Sequence, residues 1–339
     1  MDKLVLFTNS ELKERIDKRP LESKFGENVV TLKPSSNIYE DLEALDVEYV
    51  LIGFPEDVGV FANSESVGTS NTWETTVNEL LNFQNNQFTT PEKLCILGHV
   101  DFTKEIEKLQ KLDPSSAKHL AKAKKLVSKI DSTVSQLIFE ITKAGKKPII
   151  IGGGHNNAYG NIKGSALALN KAINAINLDM YSGFKQDKGR HSGNGFTYAF
   201  TEGFLKDYFI FGLQENYTSD VIFKTLKKLK HIDFITYESL EIRQDTSFKK
   251  ELQNALLATE HRPFGIELAC NSIENNGCEQ ISASGFSVKK ARQFVHFFAQ
   301  QPQAQYLHIC DAKPLKGQHP EVGKLIATLI TDFIRAHSK

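Results

Sequence analysis

The side chains best suited to chemistry in this chain are one histidine and a few acids, each placed where an apolar run stops. His155 follows three glycines, Gly152 to Gly154, in "IIIGGGHNNAYGN". Asp179 closes "AINAINLD", Glu267 lies near the end of "FGIELA", and Asp311 closes "YLHICD". Imidazole and carboxylate groups gathered at one edge can hold a divalent ion, and such an ion activates water for attack on an electrophilic carbon. Taken singly, these residues are ordinary. A histidine after a glycine turn commonly serves as a hydrogen-bonded loop residue, and a strand-end aspartate commonly caps a helix. The glycines do not form a nucleotide fingerprint, since neither G-x-G-x-x-G nor G-x-x-x-x-G-K-[ST] reads through them.

The elements that must position these groups are short apolar runs separated by helical periodicity. Strands are expected at 47–54, 93–98, 147–152, 173–179, 208–213, 231–236, 264–269 and 306–311. Most lack polar alternation, as strands covered by helices on both faces do. Helical periodicity covers 117–144, stopping at Gly145, and recurs near 216–229, 249–259, 287–300 and 319–336. Alternating strand and helix implies a parallel sheet, closed into a barrel or left open, and periodicity does not choose between the two. Either way the functional groups lie at the carboxyl ends of the strands. The first 45 residues are mixed and polar and are expected to form an N-terminal extension packed on the outside of one domain spanning 1–339.

Lys+Arg and Asp+Glu are equal at 41 each, so no net field draws the chain to nucleic acid or to an anionic membrane. With 40% apolar and 24% charged residues it has the composition of a globular protein with a sizeable core. No apolar run reaches the length of a membrane span, and the five-residue apolar stretch near the start is too short for a signal peptide. The four cysteines form no C-x-x-C pair, which argues against a zinc knuckle and suits buried thiols in a reducing cytoplasm. A small-molecule ligand and self-association are left open.

The order of the motifs is more specific than any one of them. "LIGFPEDVGVFANSESVGTSN", "GGGHNNAYG", "NLDMYSGFK", "RHSGNGFTYA", "FGIELACNSIE", "ISASGFS" and "ICDAKP" follow one another as in the arginase, or ureohydrolase, family. The chain resembles that family over roughly 48–336, and the stretch His191 to Asn194 resembles its formimidoylglutamase branch. The resemblance implies an open three-layer α/β/α sandwich with a mostly parallel eight-stranded sheet. It also implies a pair of manganese ions bridged by hydroxide, hydrolysing a linear amidine or guanidine.

The family's six ligand places fall here on His155, Asp179, Tyr181, Gly183, Glu267 and Ala269. The first two match, and Glu267 keeps a carboxylate on a longer stem. Tyr181 offers a phenol, a poor ligand at neutral pH, and Gly183 and Ala269 offer nothing. A shifted register that brings in Asp187 is the alternative. The resemblance further suggests a proton-shuttling role for His191 and substrate contacts from Asn194, Lys185 and Lys290. Lys290 falls where the family carries a glutamate, and Asp311 where it carries a structural one. The expectation is therefore a diverged homologue without the dimanganese centre or hydrolase activity, needing no cofactor and keeping a pocket for a ligand or partner. The alternative is a hydrolase using one Mn2+ or other divalent ion on His155, Asp179 and Glu267. With the cations gone, an ammonium from Lys290 or Lys185 is expected within about 4 Å of Asp179 or Glu267, to relieve their mutual repulsion.

Overall fold

Apolar runs become strands here because helices cover both of their faces, leaving no side that must be polar. The computed structural model describes residues 3–33, 37–276, 278, 284–314 and 320–336. Of the segment Ile281–Ser287, residues 281–283 therefore lie outside the described residues. The strands are β1 (Leu4–Leu6), β2 (Val30–Thr31), β3 (Tyr49–Gly53), β4 (Leu94–Val100) and β5 (Lys147–Ile151). They continue with β6 (Ile173–Leu178), β7 (Leu205–Leu213), β8 (Ile232–Thr236), β9 (Phe264–Ala269) and β10 (Ala304–Cys310). They form one open sheet in the order β1-β4-β3-β5-β10-β9-β6-β7-β8, with β2 also on β4. Every pairing is parallel except β1 with β4.

Among the described residues the sheet has ten strands, not eight, and the two additions come from the first 45 residues. That segment is not merely an outer extension. β1 and β2 share the far edge of β4, and Phe7, Leu12 and Phe25 are buried in the core. The helices lie on both faces. Thr72–Leu81, Phe248–Thr259, Val288–Ala299 and Pro320–Ala336 pack on one side, with Leu51, Ile151, Ile266 and Ile309 of the sheet. Ala117–Lys143 and Asn157–Ala168 pack on the other, with Val50, Ile52, Ile150 and Ile210. The long helix Ala117–Lys143 is capped by the Ser116 side chain and ends before Gly145, whose φ is +74°. Among the described residues, no helix is long and apolar enough to cross a membrane.

On the second face the middle of the sheet breaks its apolar pattern. Glu267 of β9 pairs in register with His308 of β10 on one side and Asn177 of β6 on the other. Three polar side chains thus lie abreast across three adjoining strands, all of them fully buried.

Candidate functional site

The glycine turn after β5 is held from outside by an acid in the loop after β3. Gly153 has φ +71°, and a Cβ there would stand 2.7 Å from the Phe54 carbonyl oxygen, so only glycine fits. Glu56, fully buried, accepts from the Gly154 amide at 3.1 Å and from the Val58 and Gly59 amides at 2.6 and 3.0 Å. Asp311 completes the clamp: its own amide donates to Gly153 O at 3.1 Å, and its Oδ1 accepts from the His155 amide at 3.1 Å. Asp311 itself has φ +56°, a strained backbone for a non-glycine residue beside a functional site. Burial pushes its carboxyl up to about 7.

So positioned, the His155 ring lies between two carboxylates. Nδ1 is 3.0 Å from Asp179 Oδ2, and Nε2 is 3.3 Å from Glu267 Oε2. The first contact is a hydrogen bond; the second is an ion-pair contact outside hydrogen-bond geometry. Glu267 is held further by Tyr306, whose hydroxyl donates to Oε1 at 2.7 Å, and by His308 Nδ1, 2.5 Å from Oε2. Burial opposes the charge of Glu267, but His308 and His155 outweigh it and hold the carboxyl down at about 2. Burial likewise opposes charge on His155, yet its surroundings, Asp179 and Glu267 among them, raise its pKa well above the ordinary value. The ring of Phe196 meets His155 edge-on at 5.2 Å and stacks on Tyr208 at 4.3 Å.

Above this cluster opens a cavity of about 1010 Å³. Its lining includes His155, Asp179, Tyr181, Lys185, Asp311 and Lys313. Glu65 also lines it, accepting from Ser192 Oγ at 3.0 Å and Asn63 Nδ2 at 2.6 Å, and burial raises its pKa. At the mouth Tyr181 is 41% exposed and meets Tyr217 edge-on at 6.0 Å.

The relief of charge between Asp179 and Glu267 does not come from a lysine. Lys290 lies in Val288–Ala299, where its ammonium pairs with Glu241 and sits 5.3 Å from the centre of the Phe248 ring. Lys185 reaches Asn63 Oδ1 at 2.9 Å instead. The group between the two acids is the His155 imidazole. Of the residues proposed for substrate contact, Lys185 lines the cavity, while Lys290 and Asn194 do not. Asn194 is buried and fixes its own loop, accepting from the His191 amide at 3.0 Å and donating to Gly189 O at 2.8 Å. Both ring nitrogens of His191 are engaged: Nδ1 accepts from the Gly193 amide at 3.1 Å, and Nε2 is 2.8 Å from Asp187. Asp187 is thus bound to His191 and Lys124 rather than to the ligand places. Sequence reasoning passed over His308, Tyr306, Glu56 and Glu65. The first two carried a signal, because polar-capable residues at 306, 308 and 310 alternate within one buried strand.

A family model described as the arginase family matches residues 47–334. The chain belongs to the arginase family. It is formimidoylglutamase-like: it is 24% identical over 295 residues to a formimidoylglutamase of Streptococcus pyogenes, covering 83% of this chain and 82% of that relative. Its fold is similar to a crystal structure of Trypanosoma cruzi formiminoglutamase with Mn2+, with a TM-score of 0.71 at 17% identity over 94% of this chain and 99% of that one. Formimidoylglutamase from Bacillus subtilis gives 0.70 at 17% identity, over 95% and 94%.

The donor set of this arginase-family chain does not fit two manganese ions. Ala269 is buried and has no donor, and Tyr181 turns toward Tyr217 at the cavity mouth. Gly183 has φ +58°, and a Cβ there would stand 2.5 Å from Phe196 Cδ2. That ligand place is not merely vacated; the Phe196 ring stands where a side chain at 183 would begin. Nor do His155, Asp179 and Glu267 converge on one point. The two acids contact opposite nitrogens of the same ring, so an ion beside one of them faces away from the other.

Proposed function

We propose that this protein is a ureohydrolase homologue that builds no dimanganese centre and uses its strand-end cavity to bind a small ligand carrying both charges. The observation that carries the reading is the Phe196 ring against Gly183, which leaves no room for a side chain there. With Ala269 also without a donor, two of the family's ligand places offer no side-chain atom to an ion. The cavity supports the second half of the reading. Lys185 and Lys313 provide positive charge for a carboxylate, and Glu65 and Asp311 provide acceptors for an amidine or ammonium group. His191 and Asn194 then act as positioning residues that hold the loop under Lys185. Lys185 N donates to Gly193 O at 3.0 Å, which ties that loop to the cavity wall.

The test is metal analysis of protein loaded with excess Mn2+ and desalted, paired with an assay for hydrolysis of formimidoylglutamate and related amidines. The expected result is much less than two manganese ions per chain and no turnover. Two bound ions with manganese-dependent turnover would overturn the reading. A second reading, a hydrolase with one divalent ion, draws on the retained pair His155 and Asp179 and on the Mn2+ named for the T. cruzi relative. The same experiment separates it, as one ion per chain with measurable turnover.

A further inference from the structure

Beneath the cavity floor, two imidazole nitrogens are buried without a hydrogen-bond partner among the described residues: Nε2 of His155 and Nε2 of His308. An unsatisfied buried polar atom costs roughly 1–3 kcal/mol, so two in one place call for an explanation. In both rings the other nitrogen is already fixed. Nδ1 of His155 holds Asp179 at 3.0 Å, and Nδ1 of His308 holds Glu267 at 2.5 Å. Carboxylate on one nitrogen and a second nitrogen without a hydrogen bond is how metal-binding histidines are oriented, because the carboxylate fixes the ring and raises the basicity of the nitrogen that binds. At His155 an ion bound by Nε2 would take over its 3.3 Å ion-pair contact with Glu267 Oε2. Glu267 is itself braced by Tyr306 at 2.7 Å, which adds a further layer of support. The donor atoms of His155, His308 and Cys310 lie within 4.8 Å of one another. All three residues are buried, at 3%, 0% and 0% exposure.

We infer that His155, His308 and Cys310 form a site for one borderline-soft divalent ion such as Zn2+, with its fourth position facing the cavity. This rests on the proposal that His155 is not committed to a manganese pair. Two imidazoles and a thiolate select for zinc-like ions and against manganese, which prefers oxygen. Zinc sits ~2.0 Å from nitrogen and ~2.3 Å from sulfur, so the three donors close by up to about 1.5 Å on binding, a side-chain adjustment. Three protein ligands leave one position open, and His155 lines the cavity that would supply water or ligand to it. Binding breaks the Cys310 S–H bond and forms a sulfur–metal bond. The thiol proton and the Nε2 proton that the flanking acids hold on His155 both leave to solvent, and no oxidant or reductant is needed. The acids that supply the family's oxygen ligands thus serve here as the outer support of a different donor set.

The experiment is titration of the full-length protein with Co2+ as a spectroscopic stand-in, followed by X-ray absorption at the zinc edge after exchange to Zn2+. One equivalent of Co2+ should produce a thiolate-to-cobalt charge-transfer band. The band should vanish in Cys310→Ser and persist in Cys95→Ser, whose thiol is buried in β4 away from the site. The zinc edge of the unmodified protein should show one sulfur and two imidazole ligands, which decides the matter even if Cys310→Ser fails to fold. No uptake, a shell without sulfur, or a band surviving Cys310→Ser would overturn the inference while leaving the manganese-free reading intact. Two bound manganese ions with turnover would overturn that reading first.

Discussion

Two buried clusters of charge lie on the same face of this sheet, and they are finished to different degrees. Arg190 donates through Nε to Asp131 at 2.9 Å, through Nη2 to the Asn156 carbonyl at 2.9 Å, and through Nη1 to Asn194. Its guanidinium lies over the rings of Tyr159 and Tyr198, at 4.9 and 5.0 Å. Each of its three nitrogens is used. In the cluster around His155, two imidazole nitrogens are left over. The contrast separates two uses of buried polarity. A charge with a complete set of partners specifies a loop and resists anything further. A charge with a donor to spare, placed under a cavity, is available to a ligand.

The largest expected effect breaks the complete cluster. Asp131→Ala strands the Arg190 guanidinium in the core and should destabilise the fold by about 3–5 kcal/mol, as removal of one partner of a buried pair does. Urea unfolding of the variant measures it, and a loss under 1 kcal/mol would mean that Arg190 relaxes to solvent. Gly183→Asp comes next, because it restores a family ligand by sequence but not by space. Left-handed strain of about 1–3 kcal/mol and the clash with Phe196 should together cost about 2–4 kcal/mol, with no gain in manganese uptake on metal analysis. Recovery of a second manganese ion would show that the aromatic wall yields.

Glu267→Gln probes the incomplete cluster. The amide oxygen can still accept from Tyr306, and the cavity can admit water, so the loss should be about 1.5–3 kcal/mol, the worth of a charged hydrogen bond. A loss as large as that of Asp131→Ala would erase the distinction between the two regions. The smallest effect concerns pH at His191, between the clusters. Burial lowers its pKa to about 4 despite Asp187, so the folded state holds it neutral where the unfolded chain takes up a proton. Stability tied to it is therefore full above pH 6.5 and is lost as the pH falls toward 4. That should amount to about 1–2 kcal/mol after allowance for the half-exposed Asp187 partner. Comparing the acid limb of unfolding for the parent chain and His191→Gln isolates it, and superimposable limbs would remove the claim.

Much of this architecture was legible because parallel strands covered on both faces are written as apolar runs. β3 to β10 could each be read that way. β1 and β2 could not, since three residues and two residues carry no period and their pairing partner lies far along the chain. In the site, His155, Asp179 and Glu267 stood out as chemistry at strand ends. His308 stood out less: it alternates with Tyr306 and Cys310, but a histidine flanked by Leu307 and Ile309 reads as core until register places it beside Glu267. The family resemblance draws Lys290 toward the site, but it lies in the helix expected near 287–300, which Ser287 caps. That helix turns the ammonium toward Glu241, a partner 49 positions away that no local pattern reveals.

The row Asn177, Glu267 and His308, running across β6, β9 and β10, bears on how such a protein can change over evolutionary time. Glu267 and His308 bond each other, so an apolar substitution at either strands the other, while Asn177 bonds Asp179 and Tyr208 instead. Single steps away from the pair are therefore penalised even when the end point, two apolar residues, would be stable. The pair should be inherited and lost together, so that homologues with a different residue at position 308 should differ at position 267 as well.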